Sequence, residues 1–471
     1  MIPAELLDSK KILILGYGRE GRCAHRYIAK NYPNASIAIA DRAETLNDIP
    51  TDCTIEALYT GSTYLSCAHQ YEVVIPSPGI ALRSLAHNTF SSQVCFLSPT
   101  ELFFCEARRR YPHAKLIGIT GTKGKSTTTS LIGAILKNHY NDVRLAGNIG
   151  LPMLDYLDGA SNETVFVLEL SSFQLELLSQ SPDIAVLLGI VPEHLDHHGS
   201  YEAYRTAKEH ITLFQNAQDT LIIDPTLESL REIPTKTKAR IAPYALEERA
   251  EARCYLRDGT VMIREGSVAI PCIKTSELSV RGEGNIRNVL AAVTCGLVLS
   301  CTPTEIAAAL RSFSPLPHRL EDIGTFCGIR FINDSLATIP QALGNALSAF
   351  GAEAKTLIAG GYDRGLDFTP IAPLIASSHL ETLILFPTTG AHIKKAVLAH
   401  EPHTVRKFYE ATSMEHAVAL AFEHTPPGAT CIMSPASSSF NMFRDYKDRG
   451  DSFKRAVEHH AQQNSPSPST L

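Results

Sequence analysis

The sequence predicts an α/β protein of three domains, on three observations. Two glycine-bearing turns, at 16–21 and 118–124, each lie between an apolar strand and a helix. A further region after residue 315 repeats the strand–helix alternation, with polar loops at the strand ends. The length of 471 residues suits three domains of roughly 150 residues each.

The totals narrow the function. At 44% hydrophobic and 20% charged the chain has the balance of a protein that buries a core. A net charge of −6 lacks the basic footprint expected for nucleic acid or an anionic membrane surface. Eleven cysteines without a CxxC pair suit a reducing cytoplasm better than disulfides or a zinc site. The start, MIPAELLDSKK, has no apolar signal core, and no run reaches the length of a membrane span. Arg108-Arg109-Arg110 reads as a solvated linker face, and the Ser/Pro-rich tail 462–471 as frayed.

The first segment opens with an apolar strand at 11–15, then Gly16-Tyr17-Gly18-Arg19-Glu20-Gly21, and a second strand at 36–40 that ends in Asp41. Strand, GxGxxG, helix, strand and acidic residue form a dinucleotide fingerprint, which founds one reading, an NAD-dependent dehydrogenase. The plainer alternative is that the glycines only permit a tight turn. Residues 73–80, VVIPSPGI, carry a strand into a Ser77-Pro78-Gly79 turn at the same sheet edge, where open α/β sheets bind ligands. The alternation to about residue 100 reads as one Rossmann-like domain.

The second segment is organised around 116–138, LIGITGTKGKSTTTSLIGAILKN. Backbone N–H groups of the turn and the positive end of the following helix make a phosphate cradle. Lys125 is suited to the outer phosphates and Ser126 to a Mg2+ ion. The strict loop pattern wants glycine where Ile119 stands, so an ordinary strand–turn–helix junction is the alternative. The amphipathic helix bearing Leu131, Ile132, Ile135 and Leu136 favours nucleotide binding. A strand at 165–168 runs into Glu169, the strand-end position of Mg2+ ligands in P-loop enzymes, or else a buried structural carboxylate.

A strand at 184–190 precedes Pro192-Glu193-His194-Leu195-Asp196-His197-His198, a cluster that could hold a metal or stand solvated. In the helix expected at 201–214, Tyr204, Ala207 and Ile211 share a face near Lys208, ordinarily a snorkelling surface lysine. Short strands around Asp258-Gly259 and Glu265-Gly266 form an antiparallel patch at 250–280. The run from Gly282 to Asn288 opens an Ala-rich helix whose amides contact a base or merely cap it. The third segment follows Ser314-Pro315-Leu316-Pro317, with strands at 329–332, 356–359, 382–386 and 430–433 and loops beginning at Asn333, Gly360, Pro387 and Ser434. Such stacked loops are where a site forms.

Eight ordered stretches carry a resemblance: ITGTKGKST, LELSSFQLE, HLDHH with YRTAKEHI, GNIRN, LPHRLE, NDSLAT, GGYDRGLDF and SPASSSFNMFRDYKDRGDSF. Over nearly the whole chain they resemble the Mur ligases, and SSFQLE with DRGDSF is most similar to the type that adds D-glutamate to UDP-N-acetylmuramoyl-L-alanine. The resemblance implies an ATP- and Mg2+-dependent cytoplasmic step of peptidoglycan synthesis, by a monomer without nucleic-acid or membrane partners. It implies a UDP-binding Rossmann-like domain at 1–105, a central ATP-binding domain at 106–314 and a C-terminal Rossmann-like glutamate-binding domain at 315–471. A carboxylate is a poor acyl acceptor, so the family phosphorylates it from ATP to an acyl phosphate that the glutamate amine attacks.

Carried over residue by residue, the resemblance implies ATP binding by Gly121, Thr122, Lys123, Gly124, Lys125, Ser126 and Thr127. Asn285 and Asn288 fall on the adenine side, although the family's preferred His before that Asn is Gly284 here; Arg319 and Asp334 reach ATP from the third domain. It implies Mg2+ on Ser126, Glu169, His194 and Lys208, the last as a carbamate, and catalysis by Lys125, Glu169, His194 and Lys208. The UDP-sugar falls to Gly18, Arg19, Glu20, Asp41, Arg42, Ser77, Gly79, Asn148 and His194. The incoming glutamate falls to Thr338, Arg364, Ser439 and Tyr446. Two departures stand on that side: Leu336 and Arg364 replace the family's usual lysines, which keeps L-glutamate open as acceptor. A folylpolyglutamate synthetase is disfavoured by the N-terminal Rossmann-like segment, a switch-type P-loop ATPase by SSFQLE and LPHR, and a dehydrogenase by the second glycine loop.

Overall fold

The computed structural model describes residues 7–46, 49, 55–80 and 94–464; Met1 to Leu6 and the last seven residues of the tail lie outside them. The strands form three sheets. The chain gathers into two compact units, one reaching to Glu277 and resuming over Arg287–Phe313, the other made of Leu278–Ile286 and the chain from Ser314 onward.

In the first sheet, β1 (Lys11–Leu15), β2 (Ser36–Asp41), β3 (Ala57–Thr60), β4 (Val73–Pro76) and β5 (Cys95–Phe96) run parallel in the order β3-β2-β1-β4-β5. The winding reverses between β1 and β4, so the loops after these strands become neighbours. Ser77 N donates to Leu15 O and Ser77 Oγ to Gly16 O, each at 2.7 Å. A Cβ at Gly21 would strike the Gly16 carbonyl, so the third glycine of the fingerprint lets the helix Arg19–Asn31 close on the turn.

The second sheet contains β6 (Lys115–Thr120), β7 (Val143–Gly147), β8 (Val165–Glu169), β9 (Ile184–Leu187), β10 (Thr220–Ile223) and β11 (Arg240–Ala245). It continues as β12 (Cys254–Arg257), β13 (Thr260–Glu265) and β14 (Val268–Lys274), in the order β14-β13-β12-β11-β10-β9-β6-β8-β7. The strands from β11 to β7 are parallel; β12, β13 and β14 are the expected antiparallel patch, with Asp258 and Gly259 both at positive φ in the first hairpin turn. The switch point here lies beside β6, at the end of which the phosphate-type loop begins.

The third sheet has β15 (Glu321–Phe326), β16 (Ile329–Asn333), β17 (Ala354–Gly360), β18 (Thr382–Phe386), β19 (Lys407–Glu410) and β20 (Thr430–Met433). Their order is β15-β16-β20-β17-β18-β19, parallel except for β15 on β16. Alternation divides its faces: Leu357 and Ala359 join one core with Leu343 and Ile393, while Ile358 joins the other with Phe331, Val418 and Phe453.

Four expectations need correction. The strand expected to reach Ile190 ends at Leu187, because Leu188 N donates to Thr120 O and Gly189 O accepts from Thr122 N, which draws the chain toward the glycine loop. Arg108-Arg109-Arg110 is no linker but the last turn of the helix Pro99–Arg110, where cations suit the helix dipole; Arg108 pairs with Asp183 at 2.9 Å and Arg109 with buried Glu106 at 2.8 Å. The tail is helical through Asn464. Lys208 does not snorkel: it is 1% exposed, packed under the loop after β6.

Candidate active site

The site is built where β6, β8 and β9 end together. Gly121 (φ +151) and Gly124 (φ +86) shape the loop, and neither tolerates a side chain: a Cβ on Gly121 would lie 2.5 Å from Leu188 Cβ, and one on Gly124 would strike Asn288 Oδ1. The helix Lys125–Lys137 is capped at Gly124, so the N–H groups of its first turn face the loop. Lys125 Nζ donates to Gly121 O at 3.0 Å and Thr122 O at 2.9 Å. Thr122 Oγ1 donates to Val191 O at 3.0 Å, and Lys123 pairs with Glu193 at 2.7 Å, which ties the loop to the segment carrying His194. Ser126 is half-buried in the first helical turn and Thr127 is buried behind it.

Glu169 ends β8, paired with Ile119 on one side and Gly147 on the other. It is 1% exposed; Oε1 accepts from Asn148 Nδ2 at 2.7 Å, and Oε2 has no hydrogen-bond partner among the described residues. A buried, half-satisfied carboxylate is costly unless a cation answers it, so this side chain fits a metal ligand. Lys208 Nζ donates to Gly121 O at 2.8 Å and lies 4.8 Å from the Tyr204 ring centre. Burial, then the nearby Lys125 charge, push its ammonium well below the ordinary lysine range. His194 has φ +54, with its ring 5.0 Å from that of Phe173 and half exposed.

Beside this lies a cleft of about 390 Å³. The first sheet contributes Gly18, Arg19, Glu20, Asp41, Ser77 and Gly79; the second contributes Asn148, Ser171, Phe173 and Gln174. Tyr17 N donates to Asp41 Oδ2 at 2.6 Å, and Arg19 reaches Gly150 O at 3.0 Å. Burial raises the Glu20 carboxyl above its usual range, against the Arg19 charge and with Asp155 adding to the rise. Arg42, the other residue expected here, is exposed and outside the lining. The wall residues Ser171, Phe173 and Gln174 were not singled out from sequence as site residues. Their signal was present, since Ser171 and Gln174 form an S-x-x-Q capping box that starts a helix at the strand end.

The second unit brings its own candidates to the ends of β16, β17 and β20. Asp334 is buried; Oδ2 accepts from Ser434 Oγ at 2.8 Å and Oδ1 from Leu320 N at 3.2 Å, and burial pushes its carboxyl up to about 7. Arg449 is 1% exposed and donates to Ser335 Oγ, Ser335 O and Ser437 O, locking two loops together. Ser439 is buried, Tyr446 O accepts from Ser335 Oγ, Thr338 is half-buried, and exposed Arg364 lies 5.5 Å over the Phe440 ring. Arg319 is half-buried between Asp334's partner Leu320 and His318 in sequence. Of the adenine-side pair, Asn288 packs on Gly124, whereas Asn285 Nδ2 donates to Arg281 O at 2.8 Å.

Residues 119–296 match the Mur ligase middle domain. The chain is 34% identical to the UDP-N-acetylmuramoylalanine–D-glutamate ligase of Desulfitobacterium hafniense, over 96% of this chain and 98% of that protein. It is 33% identical to the ligase of that name from Acidobacterium capsulatum, over 96% and 97%. Among solved structures, MurF ligase from Thermotoga maritima in complex with ADP is similar in fold, with TM-score 0.59, 15% identity and coverage of 99% and 98%. So is UDP-N-acetylmuramate-alanine ligase MurC from Thermotoga maritima, with TM-score 0.56, 17% identity and coverage of 97% and 100%.

Proposed function

The chain belongs to the Mur ligase family, in its UDP-N-acetylmuramoylalanine–D-glutamate ligase branch, and on that premise we propose how its residues divide the work. The reaction is an ATP-dependent ligation in peptidoglycan synthesis that joins D-glutamate to UDP-N-acetylmuramoyl-L-alanine through an acyl phosphate. We assign domains to 1–105, 106–314 and 315–471, which bind the UDP-sugar, ATP and glutamate in turn. We propose that the enzyme acts as a cytoplasmic monomer, as the ligation of a nucleotide-linked precursor with ATP would require of its compartment. No helix among the described residues is long and apolar enough to cross a membrane.

The observation that carries the assignment is the convergence of the glycine loop, Glu169 and the cleft at one sheet edge. Gly121 to Thr127 cradle the phosphates, with Lys125 turned from its loop carbonyls to the transferred group. Asn288 supports the loop from beneath, and Asn285, Arg319 and Asp334 complete the nucleotide side. Ser126, Glu169 and His194 would hold Mg2+, which when bound would offset the charge that phosphates and carboxylate bring together. Lys208, whose burial disfavours the ammonium, would take up CO2 through its neutral amine with release of a proton, forming a carbamate that joins them as an anionic ligand. Gly18, Arg19, Glu20, Asp41, Ser77, Gly79 and Asn148 receive the UDP-sugar, with Arg42 at the rim. Thr338, Arg364, Ser439 and Tyr446 hold glutamate.

The test is ADP release that requires UDP-N-acetylmuramoyl-L-alanine and glutamate together, with D- and L-glutamate run in parallel. ATP turnover without either substrate overturns the reading. Leu336 and Arg364 favour including the L enantiomer as the second reading, since both change the charge geometry on the amino-acid side.

A further inference from the structure

The geometry points to a second cation site, formed by Glu176, His197 and His198, that takes a nitrogen-preferring divalent ion of the zinc class. One potential ligand atom from each residue lies within 4.8 Å of the others. His197 Nε2 is 3.1 Å from Glu176 Oε2, close to the edge of about 3.3 Å expected for a tetrahedron with metal bonds of about 2.0–2.1 Å. The two imidazoles stand 4.8 Å apart at 66°. Ser172 Oγ lies 3.0 Å from His198 Nε2 and orients that ring, the usual service of an outer-shell partner.

The environment suits an ion. The His197 side chain is only 9% exposed, and the Phe173 ring lies 4.3 Å from His197 and 5.5 Å from His198, shielding one side from water. Two imidazoles and one carboxylate favour zinc, cobalt or nickel over magnesium, which prefers oxygen ligands and retains water. Three protein ligands leave a fourth position for water. Such an ion would join two elements: the short helix Leu195–His198, just after His194, and the helix Ser172–Leu175, whose Phe173 and Gln174 line the cleft. The site is distinct from the Mg2+ ligands proposed above, none of which it uses.

The test is a Zn2+ titration of the tag-free, chelator-stripped full chain in competition with a chromophoric chelator, with millimolar Mg2+ present throughout. One equivalent of Zn2+ should bind, and Co2+ in its place should give visible absorption of four-coordinate strength. Glu176→Gln, His197→Asn and His198→Asn should each weaken Zn2+ at least tenfold, while Glu169→Gln leaves it unchanged. His197→Cys keeps a ligand in place and should bind Co2+ with a near-ultraviolet thiolate band, a readout that a structural role for His197 does not supply. The proposal is overturned by a zinc Kd weaker than about 0.1 mM, by binding that survives all three cluster variants, by loss of binding in Glu169→Gln, or by a folded His197→Cys variant without the thiolate band.

Discussion

Asn148 and Glu169 share two hydrogen bonds: the backbone N of Asn148 donates to Glu169 O at 2.9 Å and the amide Nδ2 to Oε1 at 2.7 Å, and the other carboxylate oxygen is left buried without a partner among the described residues. The amide holds the carboxylate in one orientation and leaves Oε2 for a cation. Glu169→Gln should therefore lower kcat at least a hundredfold, about 2.7 kcal/mol of barrier. Asn148→Ala should raise the Mg2+ concentration for half-maximal activity by about tenfold to a hundredfold, as loss of outer-shell support does elsewhere. An unchanged Mg2+ requirement in Asn148→Ala would leave the pair a structural one.

Lys208 has a folded-state pKa below its unfolded value. Between the two values the unfolded chain holds a proton that the native one lacks, so this group's contribution to stability rises with pH across that window and is complete above the unfolded lysine range. Lys208→Met removes the buried amine at similar volume. In CO2-free buffer at pH 7 it should melt higher than the parent, by about 2–4 °C for each kcal/mol relieved, with the gap closing toward pH 10.5. The same variant should be inactive, and the parent should lose activity on bicarbonate removal. Full activity of Lys208→Ala without CO2 dependence would sink the carbamate.

Asp334 behaves in the opposite sense. Its carboxyl is raised to about 7, so between the unfolded value and about 7 the native state holds the extra proton. Its contribution to stability is full at low pH and declines as pH rises through that window. Melting of the second unit should fall between about pH 4 and 7, and Asp334→Asn should flatten that slope, measured by calorimetry against the parent.

Gly124 is tested by closing its space. A methyl there meets Asn288 Oδ1, and φ +86 is costly for any L side chain, about 1–2 kcal/mol. Gly124→Ala should weaken ATP binding at least tenfold in direct titration. Asn288→Ala in the same chain removes the clash but not the backbone cost, so the double variant should recover part of the loss, a non-additive outcome that independent sites would not give.

The glycine loops were legible because their glycines stand at fixed spacings between an apolar strand and a helix, and the steric reason lies in the fold: a side chain on Gly21 would strike the Gly16 carbonyl and one on Gly124 would strike Asn288. The apolar strands β1, β6, β8, β17 and β18 were equally plain, each buried through most of its length. The partly exposed edge strands β3, β5, β15 and β19 were not, since pairing rather than composition makes them strands. Lys208 shows the limit for side chains. Its helical face predicted a snorkelling amine, and its burial depends on a loop some 85 residues earlier in the chain. Phe173 and Gln174 were hidden for the same reason, because a strand-end helix becomes a cleft wall only when the first sheet faces it.

Arg364 carries the last prediction, on the glutamate side. Its guanidinium lies 5.5 Å over the Phe440 ring, and Phe440 in turn meets Tyr362 edge-on at 6.4 Å, so the exposed side chain rests on one ring that a second ring backs. Tyr362 is itself fixed by an isolated bridge to Ser438. At the other candidate position Leu336 offers no charge, and its backbone N–H is already given to His318 O at 2.9 Å. The prediction is that Arg364, with a planar fork that can grip both oxygens, is the principal cation for the glutamate carboxylate. Arg364→Ala should raise the KM for glutamate at least tenfold, about 1.4 kcal/mol, with kcat changed less. Arg364→Lys should fall between, since it keeps charge and loses the fork. Leu336→Lys should lower KM, and measuring all three with D- and L-glutamate separates a general carboxylate grip, which shifts both enantiomers alike, from a contact that selects one of them. An Arg364→Ala KM equal to that of the parent for both enantiomers would remove Arg364 from the site.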